Sequence, residues 1–438
     1  MEITEVTREC DICGCDKNTL ISKKPSWTKT SVIKYKNKLY HSTDVMCNNC
    51  GVIYKNPMMS RESMRDFYQD AYMQLYEPFN VTSISGVSIA LRAVTAIYCL
   101  DWLDSIGYDI TEKKVFEVGC GFGTLLMAMR SLGAEVAGVE PGKRSSEIGE
   151  KVFGFKATVN SFEEFNTSHL YDLVIINNTL EHFYSPTEAL KKARTMLSPH
   201  GKILVEVPSM LYPYPGIPID GFLSSAHNFT FSKESFEWLA YKCGLKIDYM
   251  AYKGHKKCMF FLLSEYKHSE TVQLTIPPTK ENINKLLNQY QEVNTFIDDI
   301  SDQVKFTQKM KEEGYLGIAK EYPNHTNVLG ISYVNWLLAQ NKPKESLDFL
   351  NSPAGVWKDN QSEDVDMHPG TLTYLRGLTY RHLGDFLQAK KCFEEAMLQY
   401  PHFYKYNFLS DMVINGLIPE NIFGTSSWYN CAKTLEMM

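Results

Sequence analysis

Between residues 113 and 263 the chain alternates short runs of consecutive apolar residues with longer stretches bounded by helix caps and glycine stops. Short continuous apolar runs suit strands buried on both faces, and the capped stretches suit helices laid against them. Residues 113–118 predict a first strand and residues 119–123, Gly-Cys-Gly-Phe-Gly, a tight turn. Residues 124–132 then predict a helix stopped by Gly133, and residues 135–140 a second strand. Residues 156–159, 172–176 and 202–207 give three more strands. Ser185, Pro186 and Glu188 stand at the cap, first and third positions of a helix, the order of a capping box, and Pro199-His-Gly201 ends that helix. Ser232 caps another helix, closed by Gly244, and residues 245–252 and 257–263 form a terminal hairpin. This alternation predicts an α/β domain with a doubly wound, mainly parallel sheet.

The flanks carry other patterns. Ser60 can cap a helix running to about residue 76, with Met64, Phe67, Tyr68 and Tyr72 as its packing stripe, and residues 88–106 give a second apolar helix. Residues 32–40 read as a hairpin. Thr275-Ile-Pro-Pro-Thr279 marks a linker, followed by a polar helical stretch over residues 281–313 with Ile283, Leu286, Leu287 and Tyr290 on one side. Beyond it, Gly377, Tyr380, Gly384, Ala389, Phe393, Ala396 and Pro401 fall at the offsets of a tetratricopeptide repeat. Leu337, Asn341, Ser346 and Leu350 make an earlier degenerate copy, 43 residues before the second when counted from Ser346 to Ala389. The insert over residues 359–368 accounts for the excess over a period of about 34. The expected organisation is a unit over 1–57, a helical connector or lid over 58–110, the α/β domain over 111–266 and a helical region over 280–438.

Composition narrows the class. At 438 residues and 44% hydrophobic content, the chain can build two or three cores. A net charge of -6 argues against a nucleic-acid binder. The opening Met1-Glu-Ile-Thr-Glu lacks the basic and apolar regions of a signal peptide. Arg92 and Asp101 interrupt the most apolar stretch, residues 84–106, so no membrane partner is expected. The expected compartment is the cytoplasm, where 11 cysteines read as thiols or metal ligands.

Two constellations carry chemistry. Cys10-Asp-Ile-Cys13-Gly and Cys47-Asn-Asn-Cys50-Gly repeat one knuckle. Each places two thiolates on one side of a turn, and the four together complete a closed, structural zinc site with no catalytic position. Buried or redox thiols are the plainer reading, and the pairing of the knuckles favours zinc. Cys15 and His41 lie near enough to substitute but are left out of the ligand set. In the α/β domain, Gly119, Gly121 and Gly123 let the backbone bend and lie close to a ligand, and Glu140, ending the second strand, can hold both hydroxyls of a ribose. A dinucleotide site prefers G-x-G-x-x-G, whereas the spacing here is G-x-G-x-G.

With Glu117 two residues before the turn and Asn177-Asn-Thr-Leu-Glu-His182 after the fourth strand, the domain resembles the class I methyltransferases, which bind S-adenosylmethionine. The resemblance implies a Rossmann-like sheet whose last strand is antiparallel. It also implies a cofactor set of Glu117, Gly119, Cys120, Gly121, Gly123, Glu140, Pro141, Ser161, Phe162, Asn177 and Leu180, with residues after the third strand flanking the adenine. His182 is a candidate base or part of the cofactor wall. The order of knuckles, Asn56-Pro57, glycine turn and a histidine before Phe231-Ser232 resembles the zinc-ribbon sugar C-methyltransferases over roughly residues 10–263. That family carries Tyr-His-Glu-His where this chain has Ser224, Ser225, Ala226 and His227. Losing the tyrosine and glutamate removes the carbanion chemistry and leaves His227 as a base suited to a hydroxyl, or as a core histidine before the next helix. The loop over 208–227, rich in proline and aromatics, can shape an acceptor pocket. The expected activity is O-methylation of a small molecule, a sugar or glycan precursor. C-methylation of a nucleotide-linked keto sugar is the alternative enzyme reading. A scaffold with a vestigial pocket, recruiting a protein partner through the helical repeats, is the alternative of another class.

Overall fold

The computed structural model describes residues 4–23, 32–35, 38–41, 43–68, 96, 99–210, 223, 226–253, 258–266, 303–321, 326–352 and 371–399. The chain divides into one compact unit of residues 1–287 with 413–438 and a second of residues 288–412.

Among the described residues of the first unit, seven short strands precede the α/β domain: β1 (Glu5–Val6), β2 (Asn18–Lys23), β3 (Val32–Tyr35), β4 (Lys38–His41), β5 (Thr43–Cys47), β6 (Ile53–Lys55) and β7 (Met58–Met59). β3 and β4 pair antiparallel as the expected hairpin. Helix α1 (Arg61–Asp66) follows, with Ser60 accepting from the Ser63 amide as its cap. The rest of that predicted helix, residues 69–76, lies outside the described residues, as do the linker at 275–279, the insert at 359–368, Pro401 and most of the loop 208–227. Of the second predicted helix, residue 96 and residues 99–105 are helical.

The large sheet contains β8 (Lys114–Val118), β9 (Glu135–Glu140), β10 (Thr158–Val159), β11 (Tyr171–Asn177), β12 (Leu197–Pro208), β14 (Leu245–Lys253) and β15 (Cys258–Glu265), in the order β10-β9-β8-β11-β12-β15-β14. The first five strands run parallel, and β15 is antiparallel to both β12 and β14. β11 is a fully buried central strand: Leu173, Val174, Ile175 and Ile176 are all inaccessible. Helices α2 (Thr124–Ser131), α3 (Lys143–Phe153), α4 (Pro186–Thr195) and α5 (Lys233–Lys242) connect the strands. All five parallel strands run toward one edge of the sheet, so the glycine turn and the segments after β9, β10 and β11 converge there.

Two expectations about α4 are corrected. The helix ends at Thr195, not at Pro199-His-Gly201. Those three residues lie within β12, whose pairing with β11 jumps from Tyr171–Leu197 to Leu173–Lys202. His200 takes a positive φ of 68°, and a Cβ at Gly201 would fall 2.8 Å from the Tyr171 carbonyl oxygen, so the motif makes a bulge in the strand and does not stop the helix. The capping box is half formed. Ser185 Oγ accepts from the Glu188 amide, while the Glu188 carboxylate takes Arg61. At α5 both halves are present, made by Ser232 and Ser235.

The N-terminal strands share a core with the α/β domain. Cys10, Ile12, Tyr54 and Met58 pack in one buried cluster with Val174, Phe229, Phe236 and Phe261. β13 (Phe229–Thr230) pairs with β6, in the sheet order β13-β6-β5-β2. Asp11 anchors the contact at the start of α4, accepting from Ser185 Oγ at 2.7 Å and from the Thr187 amide at 3.0 Å. A carboxylate there meets the unpaired amides and positive end of the helix.

The second unit is helical among its described residues: α6 (Gln303–Glu321), broken at Gly314, α7 (Thr326–Ala339), α8 (Pro343–Asn351), α9 (Thr371–His382) and α10 (Phe386–Gln399). α9 turns into α10 at Gly384, where φ is 78°. A Cβ at Gly377 would come within 2.5 Å of the Phe393 ring, so glycine sets the close approach of these two helices.

Candidate functional site

A cavity of about 690 Å³ opens at the ends of the parallel strands. The turn after β8 enters it with three residues at positive φ: Gly119 (66°), Gly121 (53°) and Gly123 (77°). The amides of Gly119 and Cys120 donate to the Val139 carbonyl, tying the turn to β9. Glu140, at the end of β9, accepts from the Gly121 amide at 3.0 Å and the Gly142 amide at 2.9 Å. It ties the glycine turn to the start of α3.

Of the residues expected to meet a cofactor, Glu117, Gly119, Cys120, Gly121, Glu140, Pro141, Ser161, Phe162 and Asn177 line the cavity. Two do not. Gly123 begins α2, and a Cβ there would lie 2.3 Å from the Phe155 ring, so it serves packing. Leu180 is inaccessible and belongs to the core. His182 lines the cavity, whereas His227 is not among its lining residues, its ring edge-on to His182 at 4.9 Å between centroids.

Sequence reasoning missed several cavity residues. Arg61, Arg65 and Tyr68, from α1 and the turn after it, form part of the wall. Tyr68 belongs to the apolar stripe that the sequence marks as packing. Its hydroxyl reaches His182 Nδ1 at 3.0 Å and donates to the Ala226 carbonyl at 3.1 Å. Thr179 also lines the cavity, its Cγ2 2.7 Å from where a Cβ on Gly119 would stand.

Burial governs the charges. It pushes the Glu117 carboxyl well above the usual range, with the negative Glu140 adding to the effect. Glu117 is 4% exposed, and its Oε2 has no hydrogen-bond partner among the described residues. Glu181 is raised to about 8, first by burial, with Glu206 contributing. Burial lowers His182 to about 4, against the opposing pull of the Ala226 carbonyl. An imidazole with so low a pKa is neutral at physiological pH.

The cysteine cluster is a separate place. The sulfurs of Cys10 and Cys50 are 3.6 Å apart, those of Cys13 and Cys47 3.4 Å, and all four lie within 4.8 Å of one another. Bonds of about 2.3 Å to a tetrahedral zinc require sulfur separations near 3.8 Å, so the donor set fits that ion. Gly14 and Gly51 take the positive φ that knuckles need, at 73° and 71°. Their amides donate to the carbonyls of Cys10 and Cys47, while the Asn49 amide points to Cys47 Sγ at 3.5 Å.

Residues 93–249 match a family model described as a methyltransferase domain. This segment is a class I S-adenosylmethionine-dependent methyltransferase domain. The chain is 30% identical over 112 residues to a protein named ubiquinone biosynthesis O-methyltransferase from Acinetobacter baumannii strain ACICU, covering 24% of this chain and 47% of that one. A protein of the same name from Vibrio cholerae serotype O1 is 32% identical over 99 residues, covering 21% and 40%. The chain thus spans less than half the length of these relatives. A magnesium protoporphyrin IX methyltransferase from Synechocystis PCC 6803, solved with bound SAH, aligns at 13% identity and a TM-score of 0.36, over 47% of this chain and 99% of that one. That similarity assigns nothing further to the methyltransferase domain. Among the described residues no helix is long and apolar enough to cross a membrane.

Proposed function

We propose that the chain transfers a methyl group from S-adenosylmethionine to an oxygen of a small hydroxylated molecule, with a carbohydrate as the first acceptor class to test. The observation that carries this reading is the cavity itself, with a glycine turn held by Glu140 and with His182 in its wall, the His227 ring edge-on to that of His182. The cofactor supplies an electrophilic methyl group when bound. Gly119 and Gly121 would give it a wall without side chains, and Glu140 would hold the ribose. Ser161 and Phe162 would border its adenine, and the buried Glu117 carboxyl group lies in the same cavity wall. The imidazole pair activates the acceptor hydroxyl. Transfer to oxygen is supported by the names of the two relatives, both O-methyltransferases, and by Ala226, which stands where a C-methylating enzyme of the resembled family has glutamate. Ala226 offers the site only its carbonyl, which accepts from Tyr68 and His182.

Calorimetry with S-adenosylhomocysteine tests the cofactor assignment. Glu140→Ala loses charge-assisted hydrogen bonds to the ribose and weakens binding by about 1–3 kcal/mol. A protein that takes up NAD and not S-adenosylhomocysteine would sink the reading.

We further read residues 1–57 as a zinc ribbon, 58–110 as a connector or lid, 111–266 as the cofactor-binding domain and 280–438 as a tetratricopeptide-like platform for a protein partner. Zinc is held by Cys10, Cys13, Cys47 and Cys50 and has a structural role, since four thiolates leave no open position. Metal analysis is expected to find zinc in the full chain and a lower content in Cys13→Ser. Full retention in a Cys10/Cys13 double variant would exclude this ligand set.

A further inference from the structure

We propose that Glu181, His182 and His227 form a second metal site, one that binds a divalent first-row ion through two imidazoles and a carboxylate. One ligand atom from each of the three residues lies within 4.8 Å of the others. Glu181 Oε1 is 3.7 Å from His182 Nε2. The Glu181 side chain is 1% exposed, and its Oε2 has no hydrogen-bond partner among the described residues. A carboxylate oxygen in that position calls for a cation or a proton.

The imidazole is oriented for metal. A carbonyl oxygen only accepts, so the 2.9 Å contact between His182 Nδ1 and the Ala226 carbonyl places the proton on Nδ1. The lone pair is then on Nε2, the nitrogen turned toward Glu181. Metal-binding histidines are commonly fixed in this way, through the distal N–H on a backbone carbonyl. Tyr68 supports the same ring from its hydroxyl. The two segments that carry the ligands are laced together: the Asn228 amide donates to the Glu181 carbonyl at 2.8 Å, and Asn228 Nδ2 donates to the His182 carbonyl at 2.6 Å. Neither segment has to move far to bring its ligand in.

The donor set selects the ion. Two nitrogens and one carboxylate suit zinc, iron or manganese, and leave positions open, whereas calcium and magnesium prefer oxygen throughout. His182 also lines the cofactor cavity, so an ion here would stand at the cavity wall, where an acceptor oxygen can complete its coordination. That role rests on the methyltransferase reading, whereas ion binding does not. With the ion in place the imidazoles act as ligands, and acidity of the acceptor hydroxyl comes from the metal.

The test uses Mn2+ alone on the full chain as isolated, followed by electron paramagnetic resonance. Manganese is a poor competitor at thiolates, so bound Mn2+ reports on this site and not on the cysteine cluster. The expected result is one bound Mn2+ per chain. Glu181→Gln and His227→Ala are each expected to weaken it by ~100-fold, and Tyr68→Phe, which only supports a ligand, by ~10-fold. Uptake of S-adenosylhomocysteine by each variant confirms that the cavity is still folded. If Glu181→Gln does not fold, His227→Ala decides the matter from outside the cavity lining. Absence of Mn2+ binding by the wild type overturns the proposal in favour of a protonated Glu181 beside neutral imidazoles, and so does unchanged binding by the variants. Cofactor uptake without Mn2+ would end this proposal and leave the methyltransferase reading intact, and Mn2+ binding without cofactor uptake would do the reverse.

Discussion

Gly121→Val is expected to abolish uptake of S-adenosylhomocysteine while leaving the protein folded. Two independent causes act at that residue. Its φ of 53° lies in the left-handed region, where a β-branched side chain is strained. Its position on the cavity wall would also place the new methyl groups where the ligand has to lie. Straining the turn further disturbs the 3.0 Å bond from its amide to Glu140, so ribose recognition suffers as well. Together these effects should lower affinity by at least ~100-fold, about 2.8 kcal/mol, which calorimetry against the wild type would read directly. Gly123→Val gives the necessary contrast. There the added Cβ meets Phe155 and not the cavity, so the loss should appear as a lower melting temperature. Near wild-type affinity in Gly121→Val would mean that the cofactor lies elsewhere.

Replacing His227 by asparagine is expected to slow turnover by ~10²–10⁴, the usual worth of an activating group, with cofactor affinity nearly unchanged. The separation of the two readouts follows from geometry. His227 does not line the cofactor cavity, but its ring meets the one that does. His182→Asn should damage both quantities, because His182 touches the cavity and also bonds Tyr68 and the Ala226 carbonyl. The product should carry its new methyl on oxygen. A methyl on a ring carbon of a keto sugar would restore the C-methylation alternative, and normal turnover per folded His227→Asn molecule would reduce His227 to a packing role.

Much of this was legible in the sequence, for reasons that differ by element. Strands β8 and β11 announce themselves because both faces are buried and the apolar residues run consecutively. The glycine turn shows because three positive φ values in five residues leave few other residue types. Pro199-His-Gly201 misled, since a breaker motif looks the same whether it ends a helix or bulges a strand. Leu180 and Gly123 adjoin lining residues in sequence, yet Leu180 is buried in the core and Gly123 makes room for the Phe155 ring, which adjacency along the chain does not reveal. Tyr68 could not be recovered at all. Its ring belongs to an apolar stripe, and its partners are 114 and 158 residues further on.

The pairing of β13 with β6 also bears on how such a chain can be taken apart and rebuilt. Phe229 opposite Tyr54 and Thr230 opposite Ile53 fix the backbone just after His227 to the sheet that carries the cysteines. The Lys55 amide binds the Asn228 carbonyl, which extends that seam by one more residue. A chimera that keeps residues 93–249 and exchanges the first 57 would therefore inherit the cofactor cavity but set His227 on a foreign template. On the proposed role of His227, acceptor choice would be heritable only as a pair of segments far apart in the gene.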